Sequence, residues 1–252
     1  MSSQPTETTY HLYTFYASSC AARIRIAFHL KNLTYVPHYL DMAKDDHESD
    51  EYRKLNPSAA IPTLVVQIEG QQDFRISQSV AILGVLYVLR PDMREHPILV
   101  FRMEEIHPTP ALLPPASDPR ARARVRELVY VITSDVFPPT NSRIAQMVKG
   151  VRGERGTRRH LLRPYHHEPR LHRLRSHTRP HPPNSPYSAG ERLTLADVVL
   201  VPQVEQARFH GVDLARWPLL SGIVARLETL DAFRTAGWRA QGDTPDKDRV
   251  AV

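Results

Sequence analysis

The sequence predicts an α/β domain of order βαβ-α-ββα over residues 8–110, followed by an all-α domain over 119–245 of the 252-residue chain. Three observations carry this. The strand-like run Tyr10–Tyr16 passes through a short polar loop straight into an apolar helical pattern, Ile24, Ala27, Phe28 and Leu30. The stretch Leu55-Asn56-Pro57-Ser58-Ala59-Ala60-Ile61-Pro62-Thr63-Leu64-Val65-Val66 reads as a helix end, a turn, and a buried strand beginning at an X-Pro bond. Beyond Pro119, Val125, Leu128, Val129, Ile132 and Val136 recur at helical spacing.

The elements follow in order. Tyr10–Tyr16 is strand, Ala21–Lys31 helix and Tyr35–Leu40 strand. Ser49–Lys54 is a short helix, Thr63–Gln67 and Phe74–Ile76 are strands, and Gln78–Leu83 starts a helix. This order suits a thioredoxin-like mixed sheet with helices on both faces. Leu112–Asp118 is a Pro-rich linker, and helices are expected from Pro119 and over Leu195–Phe209, Pro218–Leu230 and Asp231–Trp238. Thr194 and Asp197 form a variant capping box with a structural role.

The chemistry concentrates in the first loop, Ala17-Ser18-Ser19-Cys20-Ala21-Ala22-Arg23. A strand, a polar loop and a helix start point backbone N–H groups into the loop, where the helix dipole favours an anion, including a thiolate. The Ser18 and Ser19 hydroxyls can donate to that sulfur, and Arg23 adds positive charge. The anion is either the chain's single cysteine, Cys20, or a sulfur carried by a ligand. The plain reading of Ser18 is an N-cap, and of Cys20 a small hydrophobe. At Ile61-Pro62 a cis bond would turn the Ile61 backbone outward to pair with an extended ligand; a trans proline at a strand edge is the alternative. Ile76-Ser77-Gln78-Ser79-Val80 passes from strand to helix and offers a second N-terminus able to hold a carboxylate.

Composition narrows the class. One cysteine excludes an internal disulfide and suits a reducing compartment. Met1–Thr9 carries no secretory signal pattern, and no run of about 18 apolar residues would span a membrane. The net charge of +6 is local: residues 151–190 hold nine Arg against Glu154 and Glu168, a sum of +7, so the remainder is −1. That distribution argues against a folded nucleic-acid-binding face.

Two stretches break the pattern. Residues 151–186 are rich in Arg, His and Pro, and Gly156, Pro164, Pro169, Pro180, Pro182, Pro183 and Pro186 bar a continuous helix. A frame or splice change entered near Lys149 is the favoured reading, a disordered basic insertion the second. A His-rich metal site is the third, because His166, His167, His172 and His177 share no helical face; no metal is expected. Residues 84–100 read as an insertion, alternatively as a longer helix stopped by Pro91.

Taken together, the motifs resemble the zeta class of glutathione S-transferases, the maleylacetoacetate isomerases. The family signature Ser-Ser-Cys-x-x-Arg-[IV]-Arg-Ile-Ala lies at Ser18–Ala27, the Asn-Pro segment at Asn56–Leu64, and the Gln-Ser pair at Gln78-Ser79. Leu193–Val204 and the tail Asp243-Thr244-Pro245 add downstream matches. The resemblance implies a glutathione transferase fold, glutathione as cofactor, a small acidic enone as substrate, a homodimer and a cytoplasmic location. It further implies a cis–trans isomerase of tyrosine and phenylalanine breakdown.

Residue by residue, it implies Ser18 bonded to the glutathione thiolate, Ser19 and Cys20 flanking it, and Arg23 near the substrate's acidic end. Ile61 would pair its backbone with the cysteinyl part, and Gln78 and Ser79 would hold the γ-glutamyl end. Asn141, with Ser142 and Arg143, would contribute from the second domain. Two positions depart from the family: His47 stands where Gln is common for the glycyl end, and Phe137 where a polar Gln is usual. The alternatives are a conjugating transferase of specialised metabolism, a degenerate non-catalytic relative, and thiol transfer on Cys20.

Overall fold

The computed structural model describes residues 8–84, 109–141, 143–144, 147, 150–151 and 185–250. Most of 84–100 and 151–186 lies outside them. The chain divides into two compact units: Met1–Pro110 with Asp231–Val252, and Ala111–Leu230. The sequence-based boundary had left 231–245 in the helical domain. Instead the C-terminal segment joins the α/β unit, for reasons given below.

In the first unit, β1 (Thr8–Thr14), β2 (Val36–Tyr39), β3 (Thr63–Ile68) and β4 (Phe74–Ser77) form one sheet of order β2-β1-β3-β4. β1 runs parallel to β2, with His11 opposite Val36, and antiparallel to β3, with Leu12 opposite Leu64. β3 and β4 are antiparallel, with Thr63 opposite Ser77. The parallel pair needs a crossover, and α1 (Ser19–Leu30) supplies it. Alternation along β1 sends Tyr10 and Leu12 to the face that α1 covers: Phe28 meets Tyr10 edge-on at 5.3 Å between ring centres. Leu12, Ile24, Phe28, Leu64 and Ile82 are fully buried. α2 (Asp50–Leu55) starts at Ser49, whose hydroxyl accepts the Tyr52 N–H. α3 (Ser79–Gly84) follows β4 directly.

β1 stops at Thr14, two residues short of the expected Tyr16. The cause is a side chain outside the strand. Arg25, on α1, is 0 % exposed and spends its guanidinium on backbone groups and a hydroxyl. Nη1 donates to Thr14 Oγ1 at 3.0 Å and to the Phe15 carbonyl at 3.3 Å. Nη2 donates to the Tyr16 carbonyl at 3.2 Å, and Nε to the Ala236 carbonyl at 3.0 Å. Phe15 and Tyr16 therefore turn their carbonyls toward α1 instead of a neighbouring strand. Ala236 ends α7 (Asp231–Ala236), so the same guanidinium ties the C-terminal segment to this unit.

The second unit is helical. α4 (Pro119–Tyr130) is capped by Asp118, which accepts the Ala121 N–H at 2.9 Å. It widens into a π-helical segment at Val131–Val136, where the sequence predicted a regular helix. There the Thr133 hydroxyl bonds back to the Val129 carbonyl, and the Phe137 N–H reaches Ile132 five residues earlier. α5 spans Leu195–Phe209 as expected and α6 Pro218–Leu227. The Thr194–Asp197 capping box is present. Buried Asp197 accepts the Thr194 and Ser188 N–H groups, each at 2.8 Å. Burial pushes its carboxyl above the usual carboxylate range despite these donors. Among the described residues no helix is long and apolar enough to cross a membrane, and no group of three or more His, Cys, Asp or Glu could hold a metal.

Arg25→Lys removes the planar fork and cannot serve four acceptors on two separate stretches of the chain. We expect it to lower unfolding stability by about 2 kcal/mol or more, read as a fall in the urea midpoint.

Candidate functional site

The loop between β1 and α1 sits where the sequence places the chemistry. Ser18 is the N-cap of α1, with extended backbone, and its Oγ accepts the Ala21 N–H at 3.2 Å. A hydroxyl accepts through a lone pair and keeps its proton, so capping leaves the Ser18 O–H able to donate. The plain and the functional readings of Ser18 are thus compatible. The side chain is part-exposed, as a donor to a ligand must be. Ser19 opens the helix and is buried, whereas Cys20 is a free, part-exposed thiol in the first turn. α1 runs 12 residues, long enough for its first-turn N–H groups to carry appreciable positive potential.

Arg23 does not face outward. It is 1 % exposed, and its Nη1 donates to Ser79 Oγ at 3.0 Å. The family resemblance implies Arg23 near the substrate's acidic end; the structure buries it as the link between α1 and α3. Ser79 is 5 % exposed and accepts this bond while its own proton stays available. Its neighbour Gln78 has φ +76°, a left-handed conformation that a non-glycine side chain adopts at a cost of about 1–3 kcal/mol. The Gln78 carbonyl starts α3 by accepting the Ile82 N–H at 2.9 Å. A strained residue held between a strand and a helix is a marker of a ligand-contacting position.

The Ile61-Pro62 bond is cis, the alternative that the sequence left open. The turn is held from behind. Tyr52 Oη donates to the Ala60 carbonyl at 2.7 Å and contacts Thr63 Oγ1 at 2.8 Å. Asn56 Nδ2 donates to the same two groups, at 2.6 and 3.0 Å. Tyr52, Asn56 and Thr63 were not singled out from sequence as site residues. The Asn-Pro motif was visible, but that its Asn holds the backbone before Ile61 needs a fold. His47 lies in a short 3-10 turn, 16 % exposed, with Nε2 3.6 Å from Glu48 Oε1. Its Nδ1 is buried and finds no hydrogen-bond partner among the described residues. Such an orphaned atom fits a polar ligand group that completes the site.

Asn141 belongs to the second unit, after a 3-10 turn at Pro138–Thr140, and its Oδ1 accepts the Arg143 N–H at 2.8 Å. Phe137 is half-buried at the end of the π segment. Ser142 lies outside the described residues. Within the first unit, then, the fold links Arg23 to Ser79 directly, sets Ser77 beside Thr63 across the β3–β4 pair, and holds Ser18 at the mouth of α1.

The fold has counterparts among known proteins. Residues 17–87 match the family model described as glutathione S-transferase, N-terminal domain. The chain is 37% identical over 243 residues to maleylacetoacetate isomerase maiA of Aspergillus fumigatus, covering 95% of each. A holo structure of maleyl pyruvate isomerase, a bacterial glutathione S-transferase in the zeta class, superimposes with TM-score 0.76 at 32% identity, over 93% of this chain and 100% of that one. The maleylacetoacetate isomerase of Anaeromyxobacter dehalogenans, solved with glutathione in its active site, gives TM-score 0.77 at 30% identity, over 95% and 100%. The fold and these relatives define a glutathione transferase. The chain belongs, within that class, to the zeta-class maleylacetoacetate isomerase family of enzymes.

If Arg23 acts on Ser79 as the geometry has it, Arg23→Met and Ser79→Ala are not additive. A double-mutant cycle in urea unfolding should give a coupling energy of about 1–3 kcal/mol. Additive effects would mean that the bond is not formed in solution.

Proposed function

We propose that this protein is a glutathione-dependent cis–trans isomerase of maleylacetoacetate-type acids, a step of tyrosine and phenylalanine breakdown. The observation that carries the reading is Ser18: a hydroxyl with its proton to donate, fixed at the N-terminus of α1. Family membership supports the cofactor, since relatives have been solved with glutathione bound. The orphaned His47 Nδ1 and the left-handed Gln78 fit the outer ends of that tripeptide.

When bound, glutathione would supply a sulfur nucleophile for reversible addition to the cis double bond, the chemistry that permits cis–trans isomerisation. The protein's own work is electrostatic and positional. Ser18 donates its O–H to the sulfur and, with the first-turn N–H groups of α1, favours the anionic form near neutral pH. Ser19 and Cys20 line the same turn, and Arg23 acts through Ser79. Gln78 and Ser79 hold the γ-glutamyl carboxylate and amine, the Ile61 backbone holds the cysteinyl peptide, and His47 the glycyl end. A homodimer and a cytoplasmic location accompany this reading on family grounds.

A second reading, a conjugating transferase, has one observation in its favour. The Phe137 side chain is apolar where the family resemblance expects a polar one, which would alter the choice of acceptor. The two readings differ in stoichiometry. An isomerase turns over a cis-enone acid with catalytic glutathione; a conjugating enzyme consumes one glutathione per product. Ser18→Ala should reduce kcat/KM on the order of 10²–10³-fold, the scale of losing one preorganised donor to a developing anion. Undiminished turnover in this variant contradicts the role given to Ser18.

A further inference from the structure

We propose that Asp243, in the C-terminal segment, is a positioning residue for the Ser18 loop. The proposal rests on the Ser18 reading above. Asp243 lies 227 residues from Tyr16 in sequence, yet its Oδ2 accepts the Tyr16 N–H at 2.8 Å. Tyr16 stands two residues before Ser18. Its carbonyl is already taken by Arg25 Nη2 at 3.2 Å, and the Phe15 carbonyl by Nη1 at 3.3 Å. The peptide groups leading into the catalytic turn are therefore gripped at both poles: a cation holds the carbonyls and a carboxylate holds the N–H. The turn itself closes with the Ser18 N–H on the Phe15 carbonyl at 3.0 Å. A peptide fixed in this way cannot rotate, and the direction of the next residues is set.

The segment carrying Asp243 is itself built to hold its place. Gln241 Nε2 donates to the Thr235 and Gly237 carbonyls at 2.9 and 2.8 Å. Arg249 Nη2 donates to the Gly242 and Thr244 carbonyls at 3.0 and 2.6 Å. The Gly242 N–H donates to Tyr39 Oη at 3.2 Å, on the strand beside β1. A side chain at Gly242 would come within 2.8 Å of that oxygen, so glycine permits the approach. The Trp238 ring lies 6.3 Å from that of Tyr16. Asp243 is thus presented to the loop by a braced support, and a shift of the support is a shift of the loop.

Misplacement of a reacting group by about 1 Å can cost on the order of 10²-fold in rate. Asp243→Ala frees the Tyr16 N–H and should lower kcat on a cis-enone acid by about 10- to 100-fold, with KM for glutathione changing far less. Asp243→Asn keeps an acceptor oxygen in place and should restore most of the rate. Asp243→Glu keeps the charge but moves the acceptor by one methylene, and should behave like the alanine variant; it also decides the matter should Asp243→Ala fail to fold. The second readout is the exchange rate of the Tyr16 amide proton, measured by NMR on the full chain without glutathione. It should rise at least about tenfold in the alanine variant and stay near wild type in the asparagine variant. A Tyr16 amide equally protected in Asp243→Ala, or a freed amide with unchanged kcat, overturns the proposal. Ser18→Ala measured in parallel separates the two ideas: full turnover there removes the Ser18 reading, whereas lost turnover there with full turnover in Asp243→Ala removes only the role of Asp243.

Discussion

The structure of the α/β unit depends on one buried cation. Arg25 has no access to water, and a buried charge is tolerated only when its hydrogen-bonding groups are met. The guanidinium fork meets Thr14, Phe15, Tyr16 and Ala236 at once, and no other side chain could reach all four in one plane. Three consequences follow from this one group. The first strand ends where its carbonyls turn to the fork. The first helix is locked to the strand that precedes it. The C-terminal helix, more than 200 residues further on, is drawn back onto the N-terminal unit. Asp243 supplies a compensating charge. Burial raises its carboxyl, while the Tyr16 N–H and the Arg25 and Arg249 cations pull it down.

The same grip explains why a serine that merely caps a helix can also serve a thiolate. Capping uses one lone pair and asks only for a fixed backbone. Donation to sulfur asks that the O–H point to the same place in every molecule. A loop held by its own side chains alone would satisfy the first demand and not the second. Around the loop, the remaining contacts come from rigid pieces. Ser79 is pinned by Arg23 at the start of α3, and the backbone before Ile61 is pinned by Asn56 and Tyr52. Strain is tolerated at Gln78 because β4 on one side and α3 on the other determine its backbone.

Much of this was legible in the sequence, and the boundary lies where physics would put it. Helices and strands were readable because their apolar periodicity is local; in the second unit α5 matches its expected span residue for residue. The Ser-Ser-Cys and Gln-Ser motifs were readable because chemistry at a helix start uses adjacent residues. Arg25 and Asp243 were not readable as partners. Both are charged residues that composition assigns to a solvated face, and the contacts that explain them span 211 and 227 residues. Arg23 was noticed, but its bond to Ser79 was not readable, since only the fold shows that helix α1 is buried on nearly all sides from Ser19 to Phe28. The tail's return to the first unit was hidden for the same reason: hydrogen bonds to backbone carbonyls leave no pattern in the chain that supplies them.

The central claim is that the Ser18 loop stabilises a sulfur anion. The direct measurement is the pH titration of thiolate absorbance for glutathione bound to the wild-type protein and to Ser18→Ala. The account predicts that the bound thiol titrates below about 7.5 in the wild type, as thiols at helix N-termini do, and returns toward its ordinary value in the variant. A bound thiol that titrates like free glutathione in both proteins would contradict it.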